Sequence, residues 1–303
     1  MSSESDDDWT ARTVIQKEDL LKHIFEVDKS KDGKVEISRY CILPAVDSID
    51  YDSFIDFICS NFKYYVLSQE EVEEYEEADL EAQRKSAYKL KAENEGLYGE
   101  LILFTLVEGL LDMPIASHKV AWTQNPNDEV KGSDGLFYGE YNGEESLAIG
   151  ESKIKGQRSE AVKDSLNSID RFYTPEGKQK REHELTVAAR NLPQGMSQEQ
   201  VSKLSSIMTG SSGTKRTIHP IFVCYNSAKL QRVQERNITR DELKEELKQE
   251  ISDYDISSYI QEKLEEDYPE IKRHWLIMML LPVDDTSDLQ ESMKQEIYPY
   301  ANQ

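Results

Sequence analysis

Asp134, Glu151 and Lys153 are the residues of this 303-residue chain whose types and spacing suit chemistry. Between them lies Asn142-Gly143, the dipeptide that most strongly favours a two-residue hairpin turn, because both turn positions need a left-handed backbone. With that turn Tyr141 pairs with Glu144, and counting down the ladder sets Asp134 opposite Glu151, their Cβ atoms about 5 Å apart. Alternation along the second strand places Leu147, Ile149, Glu151 and Lys153 on one face and Ala148, Gly150 and Ser152 on the other. Two carboxylates this close repel, and one pKa rises unless a cation sits between them. Donors that are all oxygen suit magnesium or manganese, and an ammonium group beside them would add a point charge for a phosphate. A solvent-facing strand end is the plainer reading of the same pair.

Something must hold these residues in place, and the segment upstream is informative. Residues 97–111 (LYGELILFTLVEGLL) read as a helix that is apolar almost all round, and therefore buried. Glu100 and Glu108 interrupt it. A glutamate in such a helix is paired, sits at an exposed end, or serves a site. Glu100, one turn in, is the better candidate for the site, whereas Glu108 near Gly109 and Pro114 reads as an edge residue.

A helical Glu, an Asp on one strand and Glu-x-Lys on the next resemble the PD-(D/E)xK nuclease superfamily, matched here by Glu100, Asp134, Glu151 and Lys153. The resemblance implies a restriction-endonuclease-like mixed α/β sheet flanked by helices. It also implies a metal-dependent deoxyribonuclease, with Glu100, Asp134 and Glu151 holding Mg2+ or Mn2+ and Lys153 orienting water and stabilising charge on the phosphate. The wording GSDG at 132–135 and LAIGESKI at 147–154, followed by AVKDSLNSIDRF at 161–172, is similar to the HamA-type nuclease subunits of bacterial Hachiman anti-phage defence. That likeness covers roughly residues 95–285. It implies DNA as substrate and a superfamily 2 helicase partner that restrains the nuclease and releases it.

The remaining pattern supplies elements for such a sheet. A helix from about Arg158 to Phe172 carries Val162, Leu166, Ile169 and Phe172 at helical spacing, and its entrance is basic, with Lys153, Lys155, Arg158 and Lys163. Residues 217–225 and 274–283 are short apolar runs bounded by breakers, and read as buried strands. Residues 240–266 read as charged helix, broken around 252–256. The organisation expected is an acidic disordered tail at 1–8, an N-terminal α+β region at 9–92 suited to partner binding, and a nuclease-like domain at 93–303. Within 9–92, Ser68-Gln69-Glu70-Glu71 is a capping box that opens a long charged helix.

Composition limits the choice. No apolar run approaches membrane-spanning length, the start lacks the basic and apolar parts of a signal peptide, and Cys41, Cys59 and Cys224 show no metal spacing. A reducing cytoplasm is the expected location. The net charge of −23 argues against tight DNA binding by the chain alone. It suits either a nuclease to which a helicase delivers DNA or a catalytically silent, acidic interaction protein on a nuclease-like fold. Other resemblances fail on chemistry. Asp28 to Val35 copies the start of a calcium loop, with an apolar helical pattern before it, but Arg39 stands where the bidentate Glu belongs, so a turn is expected. His183-Glu184 lacks a second histidine at Val187, and residues 210–215 lack phosphate-loop spacing. His118 and His219 read as strand-edge histidines.

Overall fold

The computed structural model of the protein describes residues 9–45, 48–75, 79–89, 96–117, 133–192, 196–210, 216–233, 239–253 and 255–298. The acidic segment 1–8, His118, Gly132 and residues 211–215 lie outside them.

In chain order the elements are α1 (Lys17–Leu20), β1 (Ile24–Asp32), β2 (Val35–Ile42), α2 (Tyr51–Val66), α3 (Gln69–Glu74), α4 (Asp79–Lys89), α5 (Leu97–Leu111), β3 (Ile115–Ser117), β4 (Gly135–Tyr141) and β5 (Glu144–Lys155). They continue with α6 (Arg158–Arg171), α7 (Pro175–Arg190), α8 (Gln198–Met208), β6 (Arg216–Asn226), α9 (Ala228–Val233), α10 (Arg240–Asp253), α11 (Ile256–Glu266), β7 (Trp275–Val283) and α12 (Thr286–Ile297). The strands make one seven-stranded sheet in the order β1-β2-β7-β6-β5-β4-β3. Its centre is parallel from β2 through β7 and β6 to β5, and antiparallel hairpins flank it on both sides. The expected α/β class with a mixed sheet and flanking helices is the one observed, and it is compatible with a nuclease-like fold.

The Asn142-Gly143 turn sets the register as the sequence predicts. Both residues adopt the left-handed region, at φ of 52° and 75°, and the ladder runs from Tyr141 paired with Glu144 to Gly135 paired with Gly150. One step further the Asp134 amide donates to the Gly150 carbonyl at 3.0 Å. Helix α5 packs its Leu101, Phe104 and neighbours into the same cluster as Ala148, Phe222 and Cys224. Helix α6 lies on the other face, with Val162, Leu166 and Ile169 against Ile221 and Val223. Strands β6 and β7 are apolar along their length because both their faces are covered.

Pro220 is an unusual occupant of a central strand, since it has no N–H for the ladder. Continued across the gap between Ala148 with Ile218 and Glu151 with Ile221, the register puts Pro220 beside Gly150, where its missing N–H would face the Ile149 carbonyl. The His219 ring fills that role: its Nδ1 donates to the Ile149 carbonyl at 3.1 Å. The other nitrogen, Nε2, then accepts from the Tyr173 hydroxyl at 2.6 Å. Burial pulls the His219 pKa down to about 3, so the ring stays neutral. His219 is therefore wholly buried in the sheet, correcting its reading as a strand-edge residue.

The described residues between 9 and 89 share this sheet and core. The β1–β2 hairpin joins through β2, which runs parallel to β7, and α2 buries Phe54, Ile58 and Phe62 in the cluster that holds α5 and Met293 of α12. The calcium-like stretch is the hairpin itself, turning at Gly33 with φ of 58° while Asp28 pairs with Arg39, and the segment before it, read as helical, is divided between the short helix α1 and the start of strand β1. Ser68 caps α3 reciprocally with Glu71; the charged tract beyond is divided between α3 and α4, with residues 76–78 outside the description. The break expected around 252–256 separates α10 from α11. Cys41, Cys59 and Cys224 are buried free thiols. No helix among the described residues is long and apolar enough to cross a membrane.

Candidate active site

Glu100 stands in the first turn of α5, where the helix dipole favours a negative charge. It can approach the sheet because its neighbour is glycine. A Cβ at Gly99 would lie 2.8 Å from the Ser152 hydroxyl oxygen, so a larger side chain there requires Ser152 or α5 to shift. Glu100 is buried, and one of its oxygens, Oε2, accepts a hydrogen bond from the Tyr65 hydroxyl at 2.7 Å. That hydroxyl is also 3.5 Å from the Asp134 carbonyl.

Asp134 is half-buried just before β4 begins. Its Oδ2 accepts from the Ser152 amide at 2.7 Å and from the Ser152 hydroxyl at 2.8 Å. The residue before it is anchored too, because the buried Glu184 of α7 accepts from the Ser133 amide at 2.9 Å and from its hydroxyl. Glu151 is buried on β5 and ion-pairs with Lys153, whose ammonium also donates to the Ser152 carbonyl at 3.1 Å. Burial, and then the charge of Asp134, push the Glu151 carboxyl up to about 7, against the pull of Lys153 and of a hydrogen bond with Ser168. The like charge expected from the facing strand positions thus adds to a rise at Glu151 that is due first to burial.

Glu100, Asp134, Glu151 and Lys153 are brought to one end of the β4–β5 ladder. Glu100 arrives with α5 on the face of Ala148, Gly150 and Ser152, Glu151 meets Ser168 of α6 on the other face, and Asp134 lies between them. Each carboxylate is engaged by a protein donor. Among the described residues, no group of three or more His, Cys, Asp or Glu side chains is already arranged to hold a metal ion. The donor types suit a hard divalent cation: all are oxygen, Glu100 and Glu151 are buried while Asp134 is half-buried, and one carboxyl has its ionisation opposed by burial and by a second carboxylate.

Tyr65, Ser152, Ser168 and Glu184 were not singled out from the sequence. Their roles depend on contacts between distant segments, and Glu184 gave no signal of the kind that flagged Glu100, because α7 is rich in charge and also carries Glu176 and Glu182. Glu108 needs correction. It is buried, and it accepts from the Val14 amide at 2.8 Å, the Ile15 amide at 3.3 Å and the Ile115 amide at 3.1 Å, so it joins three backbone segments and is no edge residue. Burial raises its carboxyl to about 7. The basic entrance of α6 is partly neutralised, since Lys155 lies 3.8 Å from Glu160 and 3.6 Å from Asp164, and the Arg158 guanidinium sits over the Tyr225 ring at 5.3 Å.

Two comparisons bear on this geometry. The family model described as HamA matches residues 16–297. A search of curated proteins gave no match.

Proposed function

The chain belongs to the HamA family of Hachiman anti-phage defence, and from that premise we propose that it is a metal-dependent DNA nuclease, the effector subunit of a complex with a helicase. The observation that carries this reading is the meeting of Asp134 with the Glu151–Lys153 pair at the open end of the β4–β5 ladder, with Glu100 tied to the same point through Tyr65. Glu100, Asp134 and Glu151 would hold the Mg2+ or Mn2+, which when bound supplies a more acidic water and neutralises charge on the phosphate. Lys153 orients that water and offsets charge on the phosphate from the side that Glu151 occupies. The raised pKa of Glu151 supports the role, because a carboxyl whose charge is poorly compensated gains from a cation.

The net charge of −23 supports a dependence on a superfamily 2 helicase partner, since phosphate repels such a surface until DNA is delivered. The same charge favours a second reading, a silent interaction protein built on a nuclease-like fold. Plasmid and single-stranded DNA cleavage with Mg2+ or Mn2+, with and without the helicase, separates the two. Under the nuclease reading the wild type cuts, and Lys153→Ala, correctly folded, loses about 10²–10³ in rate. A folded wild type that cuts nothing in any combination supports the silent module.

A further inference from the structure

We infer that Tyr65 is a positioning residue of this centre, its hydroxyl fixing Glu100 against the main chain of Asp134. The inference rests on the nuclease reading and goes beyond the four residues of the motif. Tyr65 comes from the last turn of α2, within the N-terminal region, and its ring is buried beside Phe104 with ring centres 5.6 Å apart. One proton is shared between the Glu100 carboxylate at 2.7 Å and the Asp134 carbonyl at 3.5 Å.

Packing alone would be met by phenylalanine. The hydroxyl adds direction: with Oε2 of Glu100 fixed, the carboxylate cannot turn about its last bond without breaking a buried hydrogen bond. Outer groups of this kind orient ligating carboxylates, and their removal lowers metal affinity or activity by about 10–100-fold. Through this hydroxyl the seating of α2 also bears on the spacing of Glu100 from Asp134, beside the packing of α5 on β5.

The test uses the full chain with its helicase, comparing wild type, Tyr65→Phe and Ile58→Val. Ile58 is a buried residue of the same helix, and its substitution serves as a structural control. Mn2+ binding is measured by calorimetry, without DNA, and kcat and KM for DNA cleavage separately. Tyr65→Phe is expected to weaken Mn2+ binding and lower kcat by about 10–100-fold, leaving KM for DNA near wild type, while Ile58→Val lowers only the unfolding midpoint. Wild-type Mn2+ affinity and kcat in Tyr65→Phe, beside an active wild type, overturn the role of Tyr65 and leave the nuclease reading standing. Equal losses in Ile58→Val overturn it as well, by showing that the effect is general softening of α2. A wild type that neither binds Mn2+ nor cuts DNA overturns both.

Discussion

Glu100 and Glu108 lie two turns apart on one apolar helix, and their surroundings give them opposite work. Glu108 accepts three backbone amides and closes gaps between chain segments, whereas Glu100 meets a tyrosine at the end of the sheet. The sequence shows that both acids are out of place in such a helix. It does not show which of them is satisfied by backbone, because the amides come from Val14, Ile15 and Ile115, two of them far away in the chain. A carboxyl raised from 4.5 to about 7 in the folded state binds its proton more tightly there than in the unfolded chain. Its contribution to stability is therefore complete below about pH 4.5 and is lost as pH rises through about 7. Unfolding measured from pH 5 to pH 8 should show a fall in wild-type stability that is shallower in Glu108→Gln, the difference amounting to about 3 kcal/mol at most. Glu151 obeys the same sign. Above pH 7, Glu151→Gln should raise the unfolding midpoint, by removing a buried charge that faces Asp134, while abolishing cleavage; a fluorescence melt beside a cleavage assay checks both.

At the scale of elements, the β4–β5 hairpin and α5 were legible for local reasons. A left-handed Asn-Gly pair permits few alternatives, and an all-round apolar run of fifteen residues is too long for a strand. The β1–β2 hairpin was not, because its alternation is interrupted by a register shift between Glu26 and Asp28 and its Asp-Gly turn imitates another motif. Nor was the repair at Pro220 visible, since it needs the neighbouring strand to reveal which carbonyl lacks a donor. His219→Leu should cost about 1–3 kcal/mol by leaving the Ile149 carbonyl and the Tyr173 hydroxyl without their partner. Adding Pro220→Val restores a ladder N–H and should recover part of that loss in a double-mutant cycle by chemical denaturation. Gly99→Val, which sets a side chain against Ser152, should destabilise by about 1–3 kcal/mol and reduce cleavage more than that loss explains, because the shift falls on Ser152 or on the helix that carries Glu100.

Across the whole molecule, 59 acidic against 36 basic residues give a surface that repels both itself and nucleic acid. Raising NaCl from about 10 mM to about 200 mM should therefore increase the unfolding midpoint of the isolated chain, since screening relieves self-repulsion; a flat or falling response would show that local ion pairs such as Lys31–Glu36 dominate. The sheet order has a consequence for the making of the protein. Strand β2 pairs with β7, so the earliest strands find their place only against the latest. Ribosome-bound chains ending near residue 270 should remain open to protease between residues 24 and 42, whereas chains carrying β7 should resist. A stalled ribosome then displays all four residues of the centre on a sheet that lacks its middle. Under the nuclease reading proposed above, the sheet that carries the centre is complete only once the last strand has been made.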